Sequence, residues 1–547
     1  MKSFSLDDLV TDPATLDRYS RDWSLFQVMP KGIAFPKDTE DLQALVRYAT
    51  EKNISLTARA AGTDMSGGPL GEGIIVDFKN FNRIKEVGTE YAITEPGVYY
   101  RDFEKETLKY GLLFPSYPAS KSLCAMGGIV ANNSGGEKSL TYGKTERYVQ
   151  RLQVVLSNGN VYTFEPLNRK QLDVKMALQN FEGELYRKVY NLCTKNYELL
   201  KAAKPKVSKN STGYSIWNVW DRDTGIFDLT QLFVGSQGTL GLWTEAKIKL
   251  VRPKEHAALL VLFLDQGHMK DLGNVVQATL KHKPESFESY DDNTFRIAIK
   301  FLPSLIKSMG AGSLIGLGFR FLPEVWMALT GGIPKLILVA EFAGDSEKEV
   351  YAKARFAQSD LTVFGIKTRV AKNDAEEEKY WTIRRQSFKL LTDHSKGKRT
   401  LPFIDDVVVR PEFLPEFLPK LDEIMSHYDL TFTIAGHVGD GNFHIIPLDK
   451  IGDEKLKTIV PELSKKVFDL VFQYHGSISG EHNDGLVRSP FLKQMYGEQV
   501  YALFEQIKKI FDPNNIFNPG KKTGETLAYE IAHIDLDPTR HWGTMKP

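Results

Sequence analysis

The sequence predicts an α+β protein of two or three domains, and three observations support this prediction. A chain of 547 residues is too long for one hydrophobic core. Residues 30–253 read as short strands separated by glycine-rich loops. After Pro253 the pattern changes to strands that alternate with helices, which is typical of a separate α+β domain.

Composition and net charge exclude several classes of protein. Apolar residues make up 42% and charged residues 25% of the chain, as in an ordinary globular protein. The net charge of +1 gives no case for a nucleic-acid partner. The two cysteines, Cys124 and Cys193, exclude a disulfide framework and a Cys-ligated iron–sulfur cluster within this chain, and they suit a reducing compartment. With no secretory signal or apolar run of about 18 residues visible, we expect a cytoplasmic protein.

The first regular elements follow a polar helical lead-in, residues 1–29. A strand starts at Gly32, a helix is predicted over Thr39–Lys52, and strands over 54–59 and Ile74–Asp77. The loop between the last two strands, RAAGTDMSGGPLGEG, brings backbone N–H groups together as anion-binding loops do. It is not a Walker loop, and it leads into a strand rather than the helix of a dinucleotide βαβ unit. A plain turn is the alternative.

Two further glycine-rich regions follow, residues 115–143 and 232–245. Three such loops, each beside strand-like segments, favour one large ligand that lies along a β-rich surface. A turn-rich β domain without a ligand is the alternative interpretation.

The second half contains predicted strands over 256–265, Leu336–Gly344 and 364–370, with helices over 266–282 and 346–359. Between them lies an apolar, glycine-rich insert, residues 301–334, with interspersed basic residues. This insert suits either a peripheral contact with the inner face of a membrane or a buried helical hairpin.

The stretch GHVGDGNFH, residues 436–444, predicts a hairpin, because Asp-Gly between apolar runs is a strong turn signal. A two-residue turn at Asp440 and Gly441 would place His437 directly opposite His444, on one face and about 5 Å apart at Cβ. Two imidazoles at that spacing can share a metal ion. Two incidental histidines in a hairpin are the alternative.

Seven motifs occur in one characteristic order along the chain: RAAGTDMSGG, GGIVANNSGG, KNSTGY, VGSQGTLG, GHVGDGNFH, GEH and FNPGKK. Together these motifs resemble the FAD-dependent 2-hydroxy-acid dehydrogenases of the vanillyl-alcohol-oxidase superfamily, over about residues 30–522. D-lactate dehydrogenases, D-2-hydroxyglutarate dehydrogenases and the glycolate oxidase flavin subunit belong to this family. The resemblance implies a two-subdomain, PCMH-type FAD-binding domain over 30–253, to which a C-terminal segment, 476–525, returns. An α+β, ferredoxin-like cap over 254–475 would cover the flavin, and 526–547 would be a tail.

By resemblance, backbone amides of the first loop hold the FAD pyrophosphate, and the later loops line the ribityl chain and the ring. Some relatives attach FAD covalently through a histidine in the first loop; Thr63 stands there, so we expect non-covalent FAD. Gln237 replaces the usual Glu. The implied FAD-binding residues are Arg59, Gly62, Thr63, Asp64, Ser66, Gly67, Gly68, Pro118, Ser120, Gly127, Gly128, Asn133, Ser134, Gly135, Tyr142, Gly235, Gln237, Gly238, Gly241 and Asn518.

The same resemblance implies a divalent metal, usually zinc, on His437, His444 and Glu481, with His482 as the catalytic base. A metal lowers the pKa of a bound hydroxyl, and a neutral imidazole accepts its proton while FAD takes the hydride. Arg384 is the candidate for the substrate carboxylate, and Arg385 is its alternative. Asp405 and Asp406, beside the substrate in the family, are read as structural.

Some positions depart from the family pattern. Asn483 and Asp484 stand where relatives commonly carry Gly and then Ile or Val, and Ile404 and Ile446 stand where 2-hydroxyglutarate enzymes carry polar residues. These residues would bind a second, distal carboxylate poorly, which favours a monocarboxylate such as D-lactate, or a longer apolar 2-hydroxy acid, over D-2-hydroxyglutarate. Because the chain holds no cluster ligands, electrons must pass to an external acceptor, a quinone or a redox protein. The alternatives are an alkyl-transferring flavoenzyme of the same superfamily and a catalytically altered flavin-binding protein.

Overall fold

The computed structural model describes residues 2, 4–300, 333–394, 398–450 and 452–537. Most of the apolar insert predicted over 301–334 lies outside the described residues, so neither interpretation of it is tested. None of the helices among the described residues combines the length and the apolarity needed to cross a bilayer.

The strands of the first half form two sheets and a small ribbon. A parallel sheet has the order β1-β3-β2, and a five-stranded antiparallel sheet has the order β4-β5-β10-β6-β7. The strands are β1 (Gly32–Ala34), β2 (Leu56–Arg59), β3 (Ile74–Asp77), β4 (Ile84–Val87), β5 (Tyr91–Thr94), β6 (Val149–Val155), β7 (Val161–Phe164), β8 (Trp220–Asp221), β9 (Ile226–Phe227) and β10 (Leu242–Lys249).

Helices cover both sheets. The helix over Thr39–Lys52 has the predicted bounds: the Asp38 side chain accepts from Asp41 N at its start, and Asn53 ends it in the left-handed region. The helices of this half are α1 (Pro13–Tyr19), α2 (Thr39–Lys52), α3 (Tyr100–Leu108), α4 (Met126–Asn132), α5 (Ser139–Tyr142), α6 (Arg169–Ala177), α7 (Phe181–Lys195), α8 (Tyr197–Ala203) and α9 (Thr230–Phe233).

The cap is built on one antiparallel sheet, with the order β14-β11-β13-β12-β17-β18-β15 and β16 beside β18. Its strands are β11 (His256–Leu264), β12 (Ser286–Asp291), β13 (Leu336–Gly344), β14 (Lys367–Val370), β15 (Lys398–Thr400), β16 (Val407–Val408), β17 (Thr431–His437) and β18 (Asn442–Lys450). The order β14-β11-β13-β12 is that of a ferredoxin-like unit, as the sequence predicts.

The helices of the cap are α10 (Leu272–Leu280), α11 (Asp292–Lys300), α12 (Glu347–Asp360), α13 (Asp374–His394), α14 (Leu414–Ser426) and α15 (Leu456–Gln473). The helix predicted over 266–282 is instead a 3₁₀ turn, Gln266–Asp271, followed by α10. The Asp265 side chain accepts from Gly267 N and His268 N and so favours the tighter turn.

The C-terminal segment returns to the first half. It contains α16 (Gly485–Arg488), α17 (Leu492–Phe511) and α18 (Leu527–Ala532). Leu56 N donates to Ile516 O (2.7 Å) and Asn518 N donates to Leu56 O (2.8 Å), which extends the small parallel sheet. The apolar side of α17 packs into the core of the five-stranded sheet, so the C-terminal segment is anchored in the first half.

Candidate functional site

The GHVGDGNFH hairpin forms, but with a different register from the predicted one. His437 pairs with Asn442, and His444 pairs with Ala435. The predicted two-residue turn is wrong, because a 3₁₀ turn, Val438–Asp440, and the left-handed Gly441 lengthen the loop. A Cβ on Gly441 would clash with the Val409 carbonyl. The two imidazoles are therefore diagonal neighbours on one face, with ring centroids 5.3 Å apart.

These imidazoles converge on a third side chain from the C-terminal segment. Glu481 Oε1 lies 3.1 Å from His437 Nε2 and 3.3 Å from His444 Nε2. We call these three residues the metal triad. All three candidate ligand atoms lie within 4.8 Å of one another. The buried Glu481 Oε2 accepts no hydrogen bond in the described part of the chain. Two His and one Glu with an open position form the ligand set of a catalytic zinc, so the residues fit a divalent metal.

Each imidazole of the metal triad is held from behind by a buried carboxylate. His437 Nδ1 lies 2.6 Å from Glu288 Oε1, and His444 Nδ1 lies 3.0 Å from Asp405 Oδ1. A carboxylate at Nδ1 keeps the proton there and leaves Nε2 for a metal. No sequence motif contains Glu288, so its role was not predicted, and Asp405 was predicted to be structural.

His482, the predicted base, shares Asp405 with the metal triad. Its Nδ1 lies 2.9 Å from Asp405 Oδ2, and its ring stacks on that of His444. Asp406 accepts from His482 N (2.7 Å) and Glu481 N (2.9 Å) and so holds the backbone of this loop. Burial opposes the charged imidazole, but Asp406 and Asp405 raise the pKa of His482.

A buried lysine from the first half faces the metal triad. Lys209 Nζ lies 3.3 Å from Asp440 Oδ2 and 3.5 Å from Glu481 Oε2. Although burial opposes it, Glu481 and Asp440 raise the pKa of Lys209. Asp405 and Glu481 likewise outweigh burial and raise the pKa of His444 to about 10. The centre therefore carries an excess of carboxylate charge, which either protons or a divalent cation can balance.

The two arginines proposed for the substrate carboxylate face different partners. Arg384 donates from Nε to Glu288 Oε2 at 3.0 Å. Arg385 makes two bonds to Glu137, in the glycine-rich loop of the first half (3.0 and 2.9 Å). Arg384 is thus joined to the metal triad through Glu288, whereas Arg385 ties the cap to the first half.

A cavity of about 660 Å³ connects these side chains with the glycine-rich loops. Trp23 of the lead-in also lines the cavity, although no sequence motif contains this residue. The cap contributes Thr433, Ala435 and Ile446 to the wall. The predicted site residues on the wall are Arg59, Gly62, Thr63, Asp64, Gly68, Pro118, Ser120, Gly127, Gly128, Ser134, Gln237, Gly238, Gly241, Arg384, His437, His444, Glu481 and His482.

The other predicted FAD-binding residues do not line the cavity. Asn518 Nδ2 donates to the carbonyls of Gly68 (2.9 Å) and Gln237 (2.7 Å). Tyr142 faces the cap instead, where its hydroxyl donates to Glu285 (3.0 Å). Those outside the wall are Ser66, Gly67, Asn133, Gly135, Tyr142, Gly235 and Asn518.

The glycines show why the cavity fits a long anionic cofactor. A Cβ on Gly128 would meet no atom within 4 Å, so open space adjoins the backbone there. Gly62 and Gly67 have positive φ angles, 68° and 83°, in the first loop. Within this loop, Ser66 N and Gly68 N donate to the Asp64 carboxylate (both 2.9 Å), so the loop turns backbone N–H groups towards an anionic group.

The residues that depart from the family pattern have packing roles. Asp484 forms a fully buried ion pair with Lys522 (2.7 Å) and accepts from Gly213 N (2.9 Å). Asn483 donates to the Gly235 carbonyl (2.9 Å). Gln237 accepts from Gly485 N (2.9 Å) and donates to Asn132 Oδ1 (3.3 Å), which a carboxylate could not do. These contacts join the Glu481 loop to the glycine-rich loops.

A cavity of cofactor size with a possible metal site on its wall is the arrangement of a cofactor-dependent enzyme. Two family models match the chain: the FAD binding domain over residues 30–165, and the C-terminal domain of FAD linked oxidases over residues 252–522. The chain therefore belongs to the FAD-linked oxidases, which confirms the resemblance found in the sequence.

Proteins of similar sequence include dehydrogenases that are named for 2-hydroxy-acid substrates. The chain is 26% identical over 534 residues to D-2-hydroxyglutarate dehydrogenase of Escherichia coli, covering 94% of this chain and 50% of that protein. It is 27% identical over 489 residues to D-lactate dehydrogenase of Archaeoglobus fulgidus, covering 89% and 90%. The chain spans about half the length of several of these relatives, among them the D-2-hydroxyglutarate dehydrogenases of Escherichia coli and Pseudomonas putida.

The predicted PCMH-type fold is also confirmed. The solved structure of p-cresol methylhydroxylase with substrate bound superposes with a TM-score of 0.66, over 95% of both chains. At 16% sequence identity, this likeness concerns the fold alone.

Proposed function

We propose that the protein is an FAD- and metal-dependent dehydrogenase of D-2-hydroxy acids. The observation that carries the proposal is the position of the metal triad and His482 on the wall of the cavity that the glycine-rich loops line. The names of the curated relatives support the same reaction class. The position of His482 beside the metal triad favours hydroxy-acid oxidation over alkyl transfer by a flavoenzyme of the same superfamily.

Each residue of the site has its own role in the proposed reaction. When bound, FAD supplies a hydride acceptor and a divalent metal, zinc in our proposal, lowers the pKa of the substrate hydroxyl. His437, His444 and Glu481 would hold that metal. His482 would accept the hydroxyl proton at Nε2, because Asp405 faces its Nδ1. Arg384 would pair with the substrate carboxylate. Thr63 offers no nucleophile comparable to histidine, so FAD would be held without a covalent bond.

The substrate side chain would run along the hairpin, away from the metal triad. Ala435, Thr433 and Ile446 form this part of the wall, and none of them is charged. Ile404 is buried. These residues support a monocarboxylate such as D-lactate, rather than a dicarboxylate, as the preferred substrate. The electrons would pass to an external quinone or redox protein, and the insert over 301–334 would be the peripheral contact with a membrane.

A spectroscopic experiment tests this function. The purified protein should show a flavin spectrum and contain about one divalent metal, and acid precipitation should release the flavin. Anaerobic D-lactate should bleach the flavin, whereas L-lactate should not. D-2-hydroxyglutarate should bleach it more slowly than D-lactate.

Substitution of the base provides the control. His482→Ala should slow bleaching by roughly 100-fold or more, in line with general-base catalysis. His427→Ala, at an exposed position after α14, should leave the rate unchanged. A yellow protein that no hydroxy acid reduces would instead support the catalytically altered flavin-binding protein.

A further inference from the structure

Glu288 is a buried carboxylate at the centre of the cap sheet, and no motif contains it. It lies on β12, which pairs with β13 on one side and β17 on the other. Ser289 pairs with Gly436, so the register brings Glu288 beside His437, a residue about 150 positions later in the chain. Only 1% of Glu288 is exposed. A buried charge is costly unless its oxygens are engaged, so its partners define its role.

The two oxygens of Glu288 serve different parts of the site. Oε1 lies 2.6 Å from His437 Nδ1, and Oε2 accepts from Arg384 Nε at 3.0 Å. His437 belongs to the metal triad, and Arg384 is the group proposed for the substrate carboxylate. One rigid carboxylate thus carries both the metal ligand and the carboxylate-binding cation.

We propose that Glu288 is a positioning residue that fixes the spacing between the metal site and Arg384. A 2-hydroxy acid has its hydroxyl on the carbon next to its carboxylate, so the groups that bind them must lie at one short, constant separation. Two partners on the two oxygens of one carboxylate are held in that way. This role rests on the proposed function, because it assumes that Arg384 binds the substrate.

Asp405 provides a matched comparison. It also bridges two groups, but these are His444 of the metal triad and His482. Glu288 therefore connects the metal to substrate binding, whereas Asp405 connects the metal to proton transfer. Loss of either carboxylate should weaken metal binding, but only the loss of Glu288 should alter the binding of the substrate carboxylate.

The experiment measures zinc affinity and steady-state kinetics separately, on flavin-loaded protein. In Glu288→Gln, an amide oxygen can accept from one partner, while the amide NH₂ faces the other. Zinc affinity, measured by competition with a chromophoric chelator, should fall 10–100-fold, as for other residues that orient a metal ligand. At saturating zinc, KM for D-lactate should rise at least about tenfold, with a smaller change in kcat. Asp405→Asn should weaken zinc binding similarly, but should lower kcat and leave KM nearly unchanged.

A second variant distinguishes a positioning role of Glu288 from a role of its charge. It also keeps the proposal testable if Glu288→Gln does not fold. Glu288→Asp keeps the charge but shortens the side chain by one methylene. A positioning role predicts a raised KM for this variant also, whereas a role in charge balance alone predicts wild-type KM. Wild-type KM at saturating zinc in both Glu288 variants would overturn the proposal. If the wild-type protein binds no zinc and no hydroxy acid reduces its flavin, the proposed function fails instead.

Discussion

The two ends of the cavity differ in the groups that line them: backbone atoms at one end and charged side chains at the other. At the FAD-binding end, Gly62, Gly68, Gly127 and Gly128 present backbone to the cavity, and open space adjoins Gly128. At the cap end, the metal triad is held by side chains, with Glu288 and Asp405 behind the imidazoles. The first end should therefore fail through steric clashes and the second through changes of charge. The following predictions test this difference, from the largest expected effect to the smallest.

The largest effect is expected where the two ends meet. Gly485 has φ of 54°, and a Cβ there would clash with the carbonyl of Ser66, in the first loop. Neither the backbone nor the left-handed conformation can adapt at low cost, so Gly485→Ala should lose about 2 kcal/mol or more of stability. Thermal unfolding should show a lower midpoint, and flavin retention should fall. Gly225→Ala, also at positive φ but in open space, should lose less.

At the cap end, a change of charge without a change of shape should remove the metal. Glu481→Gln replaces the acidic ligand of the metal triad by an isosteric amide. Divalent metal affinity should fall by more than about 100-fold, beyond the 10–100-fold typical of supporting residues. Metal analysis after dialysis checks this, while flavin content should stay normal. Equal metal content in variant and wild type would show that the triad is not the metal site.

At the FAD-binding end, an added methyl group should weaken FAD binding without lowering the stability of the flavin-free protein. A Cβ on Gly128 meets no protein atom, but the residue lines the cavity. Gly128→Ala should leave the thermal midpoint of the flavin-free protein unchanged and weaken FAD binding by roughly tenfold, through overlap with the ligand. Fluorescence titration with FAD measures the change. Unaltered FAD affinity would mean that FAD does not approach this glycine.

The smallest effect concerns the contact between the cap and the first half. Burial raises the pKa of Glu341 to about 7, with Lys138 opposing the shift and Glu285 adding to it. Between pH 4.5 and 7 the folded chain therefore holds a proton that the unfolded chain has lost, so stability falls as pH rises through this window.

The amide in Glu341→Gln copies the protonated carboxyl at every pH. The drop in thermal midpoint between pH 5 and pH 8 should therefore be smaller in this variant than in wild type, by on the order of 2–3 °C. Glu349→Gln, on the exposed side of α12, should retain the wild-type drop. An unchanged drop in Glu341→Gln would assign the pH dependence to other groups.

Much of the local structure could be predicted because local signals determine it. The helix over Thr39–Lys52 has its Asp cap and its apolar spacing within one short segment. The hairpin was predicted, but its register was not. The choice between a two-residue turn and a longer loop depended on Val409, whose carbonyl packs against Gly441. That contact is long-range, so the turn signal alone could not reveal it.

By itself, the sequence determined the α+β class, the glycine-rich loops and the two histidines on one face of a hairpin, since these depend on neighbouring residues. Only the tertiary structure decided what surrounds those histidines. Glu288, Lys209 and Asp405 come from three separate segments and meet the metal triad through sheet pairing and packing between the domains. Buried charges must find partners wherever the fold places them, so their partners follow from the whole fold and not from local sequence.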